Sequence, residues 1–199
     1  MKRLLRKFSI RDLIMCGAMA ALGLAIKPLV VPLAHIISTP LMIPGGSLAG
    51  GLYMMWLVMA LGLTGKRGTP SLTGLVQAVI VMVGGINGSH GIMSLFSYTM
   101  PGVAVDIGMF IGGSRIEGPV SALIAGILAN VTGTLCVNLI FFSLPLIPLL
   151  LSVTVAAVSG GTGGILAWIL LNSLRKYGIS TAAGGGFNKT AAADTGKEK

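Results

Sequence analysis

The sequence predicts an all-α fold, an integral membrane bundle of six transmembrane helices, and three observations predict it. Charged residues make up only 10 % of the 199-residue chain, where a soluble domain carries roughly 25 %. The hydrophobic fraction is 54 % and the mean hydropathy +0.92. The apolar residues also fall into six long runs, each able to cross a hydrocarbon core of roughly 30 Å once tilt and Gly-rich ends are allowed for. So few charges cannot coat a globule, so lipid is the natural solvent for most of the surface. The 30 glycines and 11 methionines fit that setting, because Gly lets helices approach closely and Met adapts to irregular space.

Taken in order, the first predicted helix runs from about Arg11 to Lys27. It follows a basic segment as a signal peptide would. No small-residue cleavage site follows it, however, and five more spans do, so it is expected to stay as a helix. The second runs from about Ser47 to Leu63, the third from Pro70 to Val83 and the fourth from Ile92 to Ile111. Gly112 to Pro119 is the next connection, the fifth helix then runs to about Phe142, and the sixth ends near Leu174 after Pro145 and Pro148 break the chain. The expected organisation is a basic N-terminus (1–10), a six-helix membrane domain (11–176) and a polar, disordered tail (177–199).

Sidedness follows from the basic residues. With the amino terminus inside and six spans, the cytoplasmic segments hold Lys2, Arg3, Arg6, Lys7, Arg11, Lys66, Arg67, Arg115, Arg175, Lys176, Lys189, Lys197 and Lys199. Of the 14 basic residues only Lys27 is then outside. The positive-inside rule selects this orientation, with both termini cytoplasmic in a prokaryotic cell membrane. The net charge of +9 is thereby explained by lipid headgroups, and no basic face interleaved with aromatics suggests nucleic acid as a partner.

The outer connections are apolar. The first, Lys27 to Gly46, contains Pro28, Pro32, Pro40 and Pro44, which preclude an ordinary helix. It is expected to be a Pro-rich outer lid loop between helices 1 and 2, folded over the mouth of the bundle.

Several chemistries are excluded. Around Lys66 a phosphate-cradling loop needs Gly where Ala60 stands and Ser or Thr where Arg67 stands, so the chain is not expected to hydrolyse ATP. Gly160 to Gly164 lies inside an apolar span and reads as helix-packing surface. Cys16 and Cys136 lack paired spacing, and His35 and His90 lack ligand-spaced partners. No nucleophile with a base is present. Neither enzymatic activity nor a metal or cofactor site is expected. Asp106 is the one acid within the predicted hydrocarbon region, too few for a proton relay.

Two constellations remain. On the first helix Gly17, Ala21 and Ala25 recur every four residues, with Ala18 nearly adjacent; the stripe packs either inside the bundle or against a partner helix. Toward the outer half, Tyr53, Trp56, Gln77, Asn87, Ser89, His90, Tyr98 and Asn138 gather as candidate substrate-binding residues. Aromatics with a few amides suit a small, flat, largely neutral ring. An interfacial aromatic belt also explains Tyr53 and Trp56, and helix-to-helix hydrogen bonding explains Asn130 and Asn138. Asp106 is as readily structural as ligand-binding, and Lys27 reads most simply as a snorkelling side chain.

From about Ser9 to Tyr177 the chain resembles the substrate-binding S component of energy-coupling factor (ECF) transporters. The first helix, Asp12 to Ala25, looks like that family's small-residue first helix, whose Ala-x-x-x-Ala stripe maps to Ala21 and Ala25. Gly51-Leu52-Tyr53-Met54-Met55-Trp56, Gly84 to Met93 and Pro101 to Asp106 resemble the YkoE-type thiamine/hydroxymethylpyrimidine branch. Gln77 and Asn138 stand near positions where that branch carries acids, which disfavours a cationic thiazolium. The resemblance implies a substrate-capture subunit for a vitamin-like heterocycle. It also implies partners, namely a membrane coupling subunit (EcfT-like) and two cytoplasmic ATPases, with toppling of the bundle to deliver its cargo. A self-contained channel or facilitator and a scaffold without ligand are the competing expectations.

Overall fold

The computed structural model describes residues 8–41, 43–85, 91–112 and 116–177. Within them the chain forms α1 (Ile10–Ser38), α2 (Gly45–Thr64), α3 (Thr69–Gly84), α4 (Ser94–Gly112), α5 (Pro119–Val137) and α6 (Leu146–Lys176). Short 3-10 turns at Thr39–Leu41 and Gly91–Met93 lead into α2 and α4, and a π-helical turn at Asn138–Phe142 continues α5. The short connections make successive helices antiparallel. The expected six-helix bundle is therefore the fold. Five of the helices are long and apolar enough to cross a membrane. The 16-residue α3 is roughly 24 Å long at its helical rise, a shortfall that local bilayer thinning accommodates. The molecule is a multi-pass membrane protein, and large apolar side chains such as Leu29, Ile36, Val83, Ile111, Leu139 and Ile147 point outward from it.

The connection after the first helix differs from expectation. Instead of ending at Lys27 and giving way to a long lid, α1 continues to Ser38 with Pro28 and Pro32 inside it. Pro40 lies in the 3-10 turn and Pro44 is the N-cap of α2, so residues 39–44 alone connect the two helices. The proline penalty measured in water does not carry over. In lipid, an irregular apolar loop would leave far more backbone groups unsatisfied than two missing N–H donors in a helix. Thr39 closes the helix by donating both its N–H and its hydroxyl (2.6 Å) to the His35 carbonyl.

The core centres on α2, which packs against α1, α3, α5 and α6. Its apolar window is 72 % buried, against 28 to 39 % for the other four long helices. Small residues permit this crowding. A Cβ at Gly51 would land on the Ser159 carbonyl, and one at Gly163 on the Gly51 carbonyl, while the Gly51 N–H donates to Ser159 Oγ at 3.0 Å. The Gly-rich segment of α6 is thus packing surface, as expected. Asn130 ties three helices by donating from Nδ2 to the carbonyls of Ser47 (3.0 Å) and Ala156 (2.9 Å).

The basic end of the bundle is knit by ionic groups. Ser9 and Asp12 form a capping box on α1, and the fully buried Asp12 carboxylate pairs with Lys66 at 2.6 Å. Asp106 on α4 accepts from the backbone N–H of Gly68 (2.7 Å) and Ser71 (3.1 Å) and from the Ser71 hydroxyl. It therefore caps the start of α3 and is structural. Arg175 donates to the carbonyls of Gly62 (2.9 Å) and Ile116 (3.3 Å).

Candidate functional site

The opposite half of the bundle is built differently. A cavity opens there between α1, α2, α3, α4 and α5, with about 650 Å³ of space counted together with its open mouth. Its walls follow from which helix faces converge. Gly23, Leu24 and Lys27 come from one side of α1, Tyr53 and Met54 from α2, Gln77 from α3, Ser97 and Tyr98 from α4, and Thr134 and Val137 from α5, with Phe142 at the end of the π turn. Gly23 makes the closure possible, because a Cβ there would collide with the Gln77 side-chain nitrogen and sit 3.3 Å from the Trp56 ring.

The polar chemistry of the cavity centres on Lys27. Its ammonium donates to the Tyr98 hydroxyl and stands 4.3 Å from the centroid of the Tyr98 ring and 5.5 Å from that of Tyr53. Both rings present π faces to the cation. Tyr53 is held in place by its hydroxyl, which donates to the Gly46 carbonyl at 3.0 Å. Ser97 lines the same wall; it is 5 % exposed and its Oγ has no hydrogen-bond partner among the described residues. Among the described residues the Gln77 amide nitrogen reaches only the Ala20 carbonyl, at a long 3.5 Å.

Of the candidate residues read from the sequence, Tyr53, Gln77 and Tyr98 meet in this cavity. Trp56 is packed against the core beside Gly23, beneath the cavity and not in its wall, with its indole N–H buried and unpartnered. Asn138 is also outside the wall. Its Oδ1 accepts from the Leu144 N–H at 2.9 Å and holds the π turn that brings Phe142 to the cavity rim. Asn87, Ser89 and His90 lie outside the described residues. Sequence reasoning left Lys27 as a snorkelling side chain, and it passed over Ser97 and Phe142. The signal available for Lys27 was its isolation: every other charged residue among the described ones lies at the basic end.

The small-residue stripe of α1 lies on a different face from the cavity. Ala18, Ala21 and Ala25 are exposed and Gly17 is partly so, and a Cβ at Gly17 would meet nothing within 4 Å. Cys16, Met19, Ala20, Gly23 and Leu24 occupy the buried side of the same helix. The stripe is therefore not used for packing inside the bundle.

Among the described residues no group of three or more His, Cys, Asp or Glu side chains is placed to hold a metal ion. Comparison with known proteins bears on the fold and the family. A crystal structure of an S component of an ECF transporter superposes with a TM-score of 0.72, covering 95 % of each chain at 13 % sequence identity, so the two share a fold. No curated protein matches the sequence. The family model described as the permease component of ABC-type cobalt transport systems matches residues 11–132. That match spans more than half of the chain, and the protein accordingly belongs to this family of transport permeases.

Proposed function

We propose that the protein is the substrate-capture subunit of an ATP-driven uptake transporter of the ECF type. In this reading it binds a small heterocyclic solute from outside and performs no chemistry itself. The observation that supports it most is the cavity, which is lined by aromatic and polar side chains and sits at the end of the bundle away from the basic residues. The positive-inside rule puts the basic end, and with it both termini, in the cytoplasm, so the cavity faces outward. The exposed Gly17, Ala21 and Ala25 stripe then offers a close-approach face to a membrane coupling subunit that works with two cytoplasmic ATPases. The shared S-component fold supports the same division of labour.

Tyr53, Tyr98 and Gln77 suit a flat ring with one or two hydrogen-bonding edges. Among the described residues no carboxylate lines the cavity, so within a thiamine/hydroxymethylpyrimidine-like substrate class a pyrimidine or other heterocycle without positive charge fits better than a cationic thiazolium. The test is uptake in proteoliposomes. The purified chain alone is expected to retain a small solute, detectable by mass spectrometry, and to move it inward only when the coupling subunit, ATPases and ATP are supplied. Transport by the chain alone would instead make it a facilitator. A protein that carries no solute and shows no thermal shift with any vitamin would be a scaffold.

A further inference from the structure

We propose that the cavity selects an organic anion: a small flat molecule whose carboxylate, or similar acid group, meets the Lys27 ammonium while its ring lies among Tyr53, Tyr98 and Phe142. The inference deepens the substrate-capture reading and rests on it. It is carried by a charge without a counter-charge. The Lys27 neighbours are a phenol hydroxyl and two aromatic rings, which attract a cation but carry no formal negative charge.

The described acids are all elsewhere. Asp12 pairs with Lys66, Asp106 caps α3, and Glu117 lies in the connection before α5, at the basic end. A cation held within a membrane bundle costs free energy unless it is paired or hydrated, so the site is electrostatically incomplete until an anion arrives.

A second, independent observation points to the same ligand. Ser97 Oγ is buried in the cavity wall, next in sequence to Tyr98, with no hydrogen-bond partner, and unsatisfied buried hydroxyls are uncommon because they are costly. A carboxylate has two oxygens, each with spare acceptor capacity. One answers the ammonium and the other the serine hydroxyl, leaving the Gln77 amide for a ring heteroatom. The same charge argues against a metal cation or an organic cation as cargo, since Lys27 would repel either.

An acid group can also belong to a lipid phosphate. The aromatic walls favour a soluble, ring-bearing acid over a headgroup, and the experiment separates the two sources. Full-length protein in neutral detergent is titrated by thermal shift and equilibrium dialysis with benzoate, benzamide, benzamidinium and cobalt(II). Benzoate is expected to bind about tenfold or more tightly than benzamide, with no binding of benzamidinium or cobalt(II). Lys27→Met is expected to equalise benzoate and benzamide, and Lys27→Arg to keep the preference.

Benzoate binding no better than benzamide, or a preference that survives in Lys27→Met, overturns the proposal. If Lys27→Met does not fold, the wild-type series and Lys27→Arg decide the outcome. Displacement of benzoate by phosphatidylglycerol added to the micelles reassigns the anion to lipid and overturns it equally. Binding of benzamide, benzamidinium or cobalt(II) in preference to benzoate sinks the anion inference while leaving substrate capture standing. If no probe binds and no solute survives purification, the capture reading falls as well.

Discussion

The two ends of the bundle treat their polar groups in opposite ways. At the basic end every acid among the described residues of α1 and α4 is committed: Asp12 to its capping box and Lys66, Asp106 to the start of α3. Arg175 is likewise committed to two carbonyls. At the cavity end, among the described residues, the cation Lys27 has only neutral neighbours and the Ser97 hydroxyl has no hydrogen-bond partner. In the proposed reading, the end whose polar groups stay open is the end that receives a ligand. On that reading the contrast separates residues that hold the molecule together from residues proposed to recognise a solute.

Substitutions can break that contrast in graded steps. The largest effect is expected inside the α2–α6 contact. Gly51→Leu would drive a side chain into the Ser159 backbone and cost about 4 kcal/mol or more, read as loss of monodisperse protein in size-exclusion chromatography. Gly17→Leu on the exposed stripe should fold normally, because nothing lies within 4 Å of its Cβ. Next comes the docking face: Ala21→Trp with Ala25→Trp should abolish uptake and co-purification of the ATPases while solute binding stays intact. Unchanged uptake would remove the docking assignment.

Asp106→Asn should then lower stability by roughly 1–2 kcal/mol, since the amide keeps one acceptor oxygen where the carboxylate has two, and the bonds on one side, to Gly68 or to Ser71, are lost. Thermal unfolding would show this with no change in solute affinity. The smallest effect is expected from Tyr98→Phe, which removes one hydroxyl beside Lys27. Solute affinity should fall severalfold, by about 1 kcal/mol, with the melting temperature unchanged. A stability loss without an affinity change would make Tyr98 structural, like Asp106.

Much of this architecture was legible in the sequence because the bilayer restricts the choices. Apolar runs of helical length have essentially one solution in lipid, so six helices and their order followed directly. What misled was a rule carried over from water: Pro28 and Pro32 were expected to break α1, yet the helix runs through both. The aromatic members of the cavity, Tyr53 and Tyr98, were visible because buried polar-tipped rings in lipid must face inward. Asn138 looked equivalent in sequence, but the π turn it holds is a local backbone event that residue spacing does not reveal. Lys27 was underrated for a physical reason. A lone lysine near a helix end usually snorkels, whereas here α1 continues for eleven more residues, to Ser38, and keeps the side chain inside the bundle.

The central claim is that the cavity end faces outward and the basic end faces the cytoplasm. Its most direct test is cysteine accessibility in intact cells, on a background with Cys16 and Cys136 replaced by Ala. Phe142→Cys marks the half-exposed cavity rim and Tyr177→Cys the exposed end of α6. A membrane-impermeant maleimide is expected to label Phe142→Cys in intact cells and Tyr177→Cys only after permeabilisation. Labelling of Tyr177→Cys from outside, with Phe142→Cys protected until the cells are opened, would contradict the account.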